Sequence, residues 1–227
     1  MEVSPTGAIS GASLFGSPGP LLQAVRATAL NGYRAVGLSL PEPLLAGKRC
    51  LLRSWELGDA PALAAAWSDA EVRHWLPVPD VVDQVAAAAW IAGQADRRQA
   101  GLALDLVAVE QGMGPAGNPA TGPAVGGEVL GEVGLSAFDL ERGVARIGWW
   151  TAGPHRGRGI ATEMVRILTA WALGPPLDLA VLVAEVEPGN VGSLAVAWAA
   201  GYEELGRSVD GRVVMAARAV QESVRRV

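Results

Sequence analysis

One cysteine and one lysine, Cys50 and Lys48, are all that a chain of 227 residues contains of either type. A lone cysteine permits no internal disulfide and no cysteine-cluster metal centre, so no bound metal is expected. A lone lysine goes with the absence of the Gly-x-x-x-x-Gly-Lys-Ser/Thr phosphate loop. Phenyl rings are scarce too, with two Phe and two Tyr against eight Trp. Positive charge is in deficit: 18 basic and 23 acidic residues give a net charge of −5, so a nucleic-acid partner, which needs clustered positive charge, is not expected. Long hydrophobic runs free of breakers are missing. The uncharged stretch 3–25 is cut by Pro5, Pro18 and Pro20, too often for a spanning helix of about 20 apolar residues. With no base before Arg26, the positively charged start of a secretory signal is also missing. The expectation is a soluble, cytoplasmic protein with no membrane partner.

What the chain has in quantity is Ala, Val and Leu. Half of it is hydrophobic, with a mean hydropathy of +0.27, which excludes disorder for most of its length and supports one large core. Residues 1–47 are rich in Gly, Pro and Ser and read as an arm with one helix-like patch over residues 21–30. A strand is predicted at residues 50–53, then a helix opened by Asp59-Ala60-Pro61 with Leu63, Trp67 and Ala70 on its buried side. Residues 72–79, carrying His74 and Trp75, read as an irregular loop. A second helix is predicted over 83–99, with Val85, Ala88, Ala89 and Ala92 facing inward. The period then changes to that of strands at 102–109, 129–138 and 144–151, the first two separated by a Gly/Pro insertion at 111–127. Ile160, Met164, Ile167, Leu168 and Trp171 form one helical stripe, ended by Gly174-Pro175-Pro176. The apolar run 179–186 predicts a strand covered on both faces. A short helix at 191–200 and a last strand at 212–218 complete a mixed α/β or α+β domain over 48–220, with a tail at 221–227.

The informative segment is the join between the third meander strand and the strongest helix, Arg156-Gly-Arg-Gly-Ile-Ala161. The first N–H groups of a helix have no internal partner, and glycines let a ligand approach them closely. With two arginines and the helix dipole, this end suits a phosphate. Gly157-x-Gly159-x-x-Thr162 also approaches a dinucleotide fingerprint, with Asp178 about 20 residues on. Two things count against that reading: Asp178 begins the following strand, and a meander precedes the loop where a parallel repeat is needed.

Arg156-x-x-Gly159-x-Ala161 resembles the Arg/Gln-x-x-Gly-x-Gly/Ala loop of the GNAT superfamily of acetyl-coenzyme A N-acetyltransferases. Leu51-Leu52-Arg53, Ile147-Gly-Trp-Trp150, and Pro188-Gly-Asn190-Val-Gly-Ser193 followed by Ala200-Gly201-Tyr202 are similar to blocks of the branch that acetylates the N-termini of ribosomal proteins. The resemblance spans residues 48–218. It implies an α+β fold whose central, mostly antiparallel sheet contains a splayed strand pair and is flanked by about four helices. It also implies acetyl-coenzyme A as co-substrate, a primary amine as acceptor, and a possible homodimer. Residue by residue, Arg156, Gly157, Arg158, Gly159, Ile160 and Ala161, with Thr162, would hold the pyrophosphate. Trp149, Trp150 and Thr151 would border the pantetheine arm, and Asn190 would bind that arm; Asn190 also reads as a helix N-cap with Ser193 in the first turn.

In acetyl transfer an amine attacks a thioester, so the site needs a neutral amine, a donor for the oxyanion and a proton for sulfur. Relatives often carry a Tyr seven residues after the Asn, where this chain has Ala197, and the resemblance implies Ser193 as acid in its place. Many relatives carry a Glu where this chain has Arg146. Glu132 and Glu185 then remain as groups able to relay a proton through water. An α-amine of pKa ~7.7 is about one-sixth neutral at pH 7, against about one molecule in 2,500 for a lysine side chain at ~10.4. A protein N-terminus or another low-pKa amine is the easier acceptor. It is expected to enter between residues 72–79 and the strand carrying Ser136, past His74 and Trp75. A non-catalytic acyl-coenzyme A-binding domain is the alternative, motivated by Ala197 and Arg146.

Overall fold

The computed structural model describes residues 37–111 and 127–219. The helix-like patch of the arm, most of the Gly/Pro insertion and the tail lie outside them. Eight strands form one sheet: β1 Leu45–Ala46, β2 Cys50–Ser54, β3 Ala103–Glu110, β4 Val129–Asp139, β5 Val144–Thr151, β6 Val181–Val186, β7 Glu203–Arg207 and β8 Val213–Arg218, in the spatial order β1-β2-β3-β4-β5-β6-β8-β7. All neighbours are antiparallel except β5 and β6. The helices are α1 Ala60–Ser68, α2 Ala70–Trp75, α3 Gln84–Ala92, α4 Gln94–Gln99, α5 Ile160–Ala172 and α6 Val191–Ala199. The expected four appear as α1, α3 with α4, α5 and α6; α2 is a six-residue addition, and α4 is the second half of the stretch 83–99.

The sheet is covered on both faces because its central strands are apolar at successive positions. Leu52, Leu104, Leu135 and Leu182 pack against Met164 and Leu168 of α5 and Ala197 of α6. Leu51, Val107 and Trp150 pack on the opposite face against Leu63 and Trp67 of α1 and Ile91 of α3. The α5 stripe behaves as its spacing predicts, with Ile160, Met164 and Leu168 fully buried and Ile167 and Trp171 partly so. The arm is not separate at its end: Leu38 is buried, and Leu45 and Ala46 add a strand to the edge of β2.

Four local readings are corrected. Residues 72–79 begin inside α2, because the Asp69 carboxylate accepts the N–H groups of Glu71 and Val72 and so starts a helix there. Ala70 consequently leaves the buried side of α1 and is exposed. The stretch 83–99 breaks at Gly93, and its first half buries Ala87 and Ile91, whereas Val85 is 77% exposed. A run of alanines has too little amphipathic contrast for spacing alone to select the inner face. In β6 burial alternates strictly, since only Leu182, Ala184 and Val186 face the α5 core. The polar strand β7, which pairs with β8, has no apolar alternation to announce it.

Two polar clusters are built into this core. Arg53 grips Asp59 through two hydrogen bonds of 2.7 and 2.8 Å. Burial would raise the Asp59 pKa, but the Arg53 fork, the Glu56 N–H and the guanidinium charge hold it below the usual range. Glu132 and Asp105 lie on adjacent strands beneath the tryptophans. The Glu132 side chain is wholly buried, and its carboxyl oxygens, like the indole nitrogens of Trp55 and Trp150, make no hydrogen bond of ordinary geometry among the described residues. Burial and then the Asp105 charge push the Glu132 pKa well up, offset in part by Arg97 and by the two nearby indole N–H groups. Asp105 is also raised by burial, against the pull of Arg97 at 3.4 Å.

Between the unfolded carboxyl value of about 4.3 and the raised folded value, the fold holds more protons than the unfolded chain. Stability therefore falls as pH rises through that interval. Glu132→Gln is neutral throughout, so the variant is expected to exceed the parent in stability at pH 8, with the gap narrowing toward pH 5. Urea midpoints at the two pH values check this. A gap independent of pH would show that the fold holds no proton on Glu132.

Candidate active site

The site begins with a failure of pairing. β5 and β6 are joined only at Val144↔Val181, Ala145↔Leu182 and Arg146↔Val183. Beyond that point β4 keeps its hold on β5 as far as Gly131↔Thr151, and β8 keeps its hold on β6 as far as Val186↔Val213. Each strand thus follows its outer neighbour, and the expected splay opens a cleft of about 980 Å³. Gly131 permits the close approach of β4, because a Cβ there would meet the Trp150 carbonyl oxygen at 2.3 Å.

One end of the cleft is the arginine-glycine loop. A 3-10 turn at Gly153–His155 leads into Gly157 and Gly159 with φ of +72° and +75°, the left-handed region that favours glycine. A Cβ at either position would meet nothing within 4 Å, so the backbone here is open to a ligand. α5 starts at Ile160 with no side-chain cap, which leaves its first amides to whatever occupies the cleft. Arg156, Gly157, Gly159, Ile160, Ala161 and Thr162 all line the cleft. Arg158 does not line it, and donates to His155 Nδ1 at 2.9 Å. Arg156 donates to the Thr151 carbonyl and, at 2.8 Å, to Asp69 Oδ1. That bond is the main reason the Asp69 carboxyl is held below its ordinary value. One carboxylate therefore caps α2 and ties it to the loop.

The walls contain most of the other expected residues. Trp149, Trp150 and Thr151 line the cleft; Trp150 is buried and stacks on Trp55 with ring centroids 6.3 Å apart. On the far side Asn190 caps α6, its Oδ1 accepting the Ser193 N–H at 2.9 Å. This places Ser193 in the first turn of α6, facing the cleft. His74 and Trp75 line the mouth with their rings 4.2 Å apart, and the Trp75 indole N–H donates to Glu71. A Cβ on Gly189 would touch the Trp75 ring at 3.4 Å, so this ring reaches from α2 to the turn before α6.

Besides Arg158, two sequence-derived candidates lie outside the cleft lining. Glu132 sits behind Trp150, and Ser136 is 6% exposed opposite Arg146 in β4. Glu185 does line the cleft, but as part of an unexpected row of ion pairs. Arg146 donates to it at 3.0 Å, and Arg212 lies 3.9 Å from its other oxygen while donating to Glu187 at 2.7 Å. Strand alternation was the available signal for this row, because Glu185 and Glu187 fall on one face of β6 and its end. No group of three or more His, Cys, Asp or Glu able to hold a metal occurs among the described residues. No helix there is long and apolar enough to cross a membrane.

The comparisons agree with this geometry. A family profile described as an acetyltransferase (GNAT) domain matches residues 49–203. The uncharacterized N-acetyltransferase p20 of Bacillus licheniformis is 29% identical over 159 residues, 70% of this chain and 82% of that protein. Among solved structures, the ribosomal-protein-S5-alanine acetyltransferase of Vibrio fischeri is similar with a TM-score of 0.63 and 15% identity, over 79% of this chain and 98% of that one. The microcin C7 self-immunity acetyltransferase, solved with acetyl-coenzyme A and AMP, is similar with a TM-score of 0.61 and 17% identity, over 76% and 93%. At such identities the structural likeness is one of fold, and the family profile supplies the assignment: the chain belongs to the GNAT acetyltransferase family.

Proposed function

We propose that the cleft transfers the acetyl group of acetyl-coenzyme A to a primary amine. The observation that carries this reading is the uncapped start of α5, with two bare glycines in front of it, opening into a cleft whose walls are the unpaired edges of β5 and β6. The amides of residues 157–162 and the Arg156 guanidinium would take the pyrophosphate. The unpaired main-chain groups after Arg146 would take the amides of the pantetheine arm, as a neighbouring strand takes a ladder. Asn190 has committed its carbonyl oxygen to the α6 cap, so its NH₂ is the part available to that arm.

The reaction balances as follows. The amine nitrogen forms a bond to the thioester carbon, the carbon–sulfur bond breaks, the nitrogen loses one proton, and the departing sulfur gains one. A main-chain N–H near Trp150 suits the oxyanion. The Ser193 hydroxyl, which makes no hydrogen bond among the described residues, suits the sulfur. Neither Glu132, sealed behind Trp150, nor Glu185, clasped by two arginines, is free to act on the amine directly. An acceptor whose amine is already partly neutral at pH 7 therefore remains the favoured class.

Gly159→Glu places a bulky anion in a left-handed position at the phosphate end. Calorimetry should show acetyl-coenzyme A affinity falling by about a hundredfold or more; retained affinity would falsify the pyrophosphate assignment. Ser193→Ala should leave that affinity unchanged and lower kcat, by about tenfold given that a thiol of pKa ~8.5 is already a tolerable leaving group. Thiol release over a panel of amines measures this, and an unaltered kcat would remove Ser193 from the reaction.

A further inference from the structure

Arg146 occupies the last paired position before β5 and β6 part, so its side chain stands at the apex of the splay. On this face of β5 it is followed by Gly148, which contributes no side chain, and then by Trp150. The Arg146 side chain is 11% exposed, yet among the described residues its five N–H donors make one hydrogen bond, from Nη2 to Glu185 Oε1 at 3.0 Å. Its remaining donors belong to a residue that lines the cleft. Arg212 is different, because its guanidinium is engaged by Glu187 at 2.7 Å and Asp210 at 3.5 Å as well as by Glu185. From α2 the Glu71 carboxylate also lines the cleft, where it accepts the Trp75 indole N–H and makes no bond to Arg146 among the described residues.

The row therefore contains two guanidiniums and three carboxylates, a net charge of −1. This is not a general anion sink. It is a nearly neutral surface with one mostly covered guanidinium, held at one end by Glu185 and presenting its other donors to the cleft, beside two carboxylates. A mostly covered fork of this kind discriminates for an oxygen anion it can hold bidentately, because an acceptor without one leaves the donors without a charged partner. Building on the acetyl-transfer reading, we infer that Arg146 selects the acceptor: the amine that enters this cleft carries a carboxylate or phosphate within a few bonds of its nitrogen. The anion sits on the free edge of Arg146, and the amine lies toward Glu185 and Glu187 and the thioester. Free amino acids and peptides beginning with an acidic residue both present this chemistry.

The test measures binding and not turnover, which separates it from the acetyl-transfer reading itself. Protein saturated with coenzyme A is titrated calorimetrically with matched pairs: an amino acid and its amide for the first source, and tripeptides starting with Asp or Asn for the second. In at least one pair the anionic member is expected to bind about tenfold tighter or better. Arg146→Gln, with Arg212 left to hold Glu185, should abolish that preference without changing coenzyme A affinity, and Arg146→Lys should restore only part of it. The proposal is overturned if neither pair shows a preference, if no member binds, or if the variant weakens both members alike. Should the variant fail to fold, the matched pairs on the parent protein still decide. Loss of coenzyme A binding in the parent would instead count against the acetyl-transfer reading.

Discussion

The three-residue contact between β5 and β6 governs the rest of this molecule. Parallel strands ordinarily pair along their whole length, and an unpaired inner edge leaves backbone groups that cost about 1–3 kcal/mol each if buried without partners. Here the outer neighbours win. β4 grips β5 over its whole length and β8 grips all six residues of β6, so the inner edges after Arg146 and Val183 are surrendered. The same separation makes room for a ligand and leaves main-chain amides and carbonyls of both strands without a partner strand.

The helix that starts at the mouth of this cleft is held from below. Ile160, Met164, Val165 and Leu168 are within 2% of complete burial. The far side of its first turn is pinned by Glu163, which accepts both the backbone N–H and the guanidinium of Arg49 at the start of β2. Cys50 lies beside this contact, and burial and then the Glu163 charge push its thiol up to about 12, which leaves it inert. For the phosphate proposed here such a helix is well suited: the open glycines give access to its first amides, and the core holds those amides in place.

How much of this was legible beforehand depends on what kind of signal carried it. β5, α5 and the loop between them were placed almost to the residue, because a strand period, two glycines and a helical stripe are local patterns that the tertiary structure had no reason to override. The start of α2 was missed although Asp69-x-Glu71 is a cap signal, since no apolar stripe follows it. The inward face of α3 is hidden from spacing because residues 86–89 are four consecutive alanines without contrast. The ionic row is only half legible: alternation puts Glu185 and Glu187 on one face, but Arg146 and Arg212 lie far from them in sequence and meet them only through the β5-β6-β8 order. Glu132 was legible as a strand carboxylate but not as a sealed one, since its burial depends on Trp55 and Trp150 closing over it from different elements.

That burial bears on the chemistry of the cleft. Trp150 is shared: its backbone belongs to the unpaired edge that faces the ligand, while its ring packs on Trp55 above a carboxyl that burial drives toward the neutral form. A charged Glu132 would draw water or a cation beneath the ring and disturb the wall, whereas a neutral one lets the indoles pack as an apolar layer. The carboxylates that line the cleft itself are instead ion-paired, in the row with Arg146 and Arg212. The protein thus separates its acids by environment. One is dried out to support a wall, and others pair with arginines and hold a guanidinium in place, so neither kind stands unengaged beside the cleft.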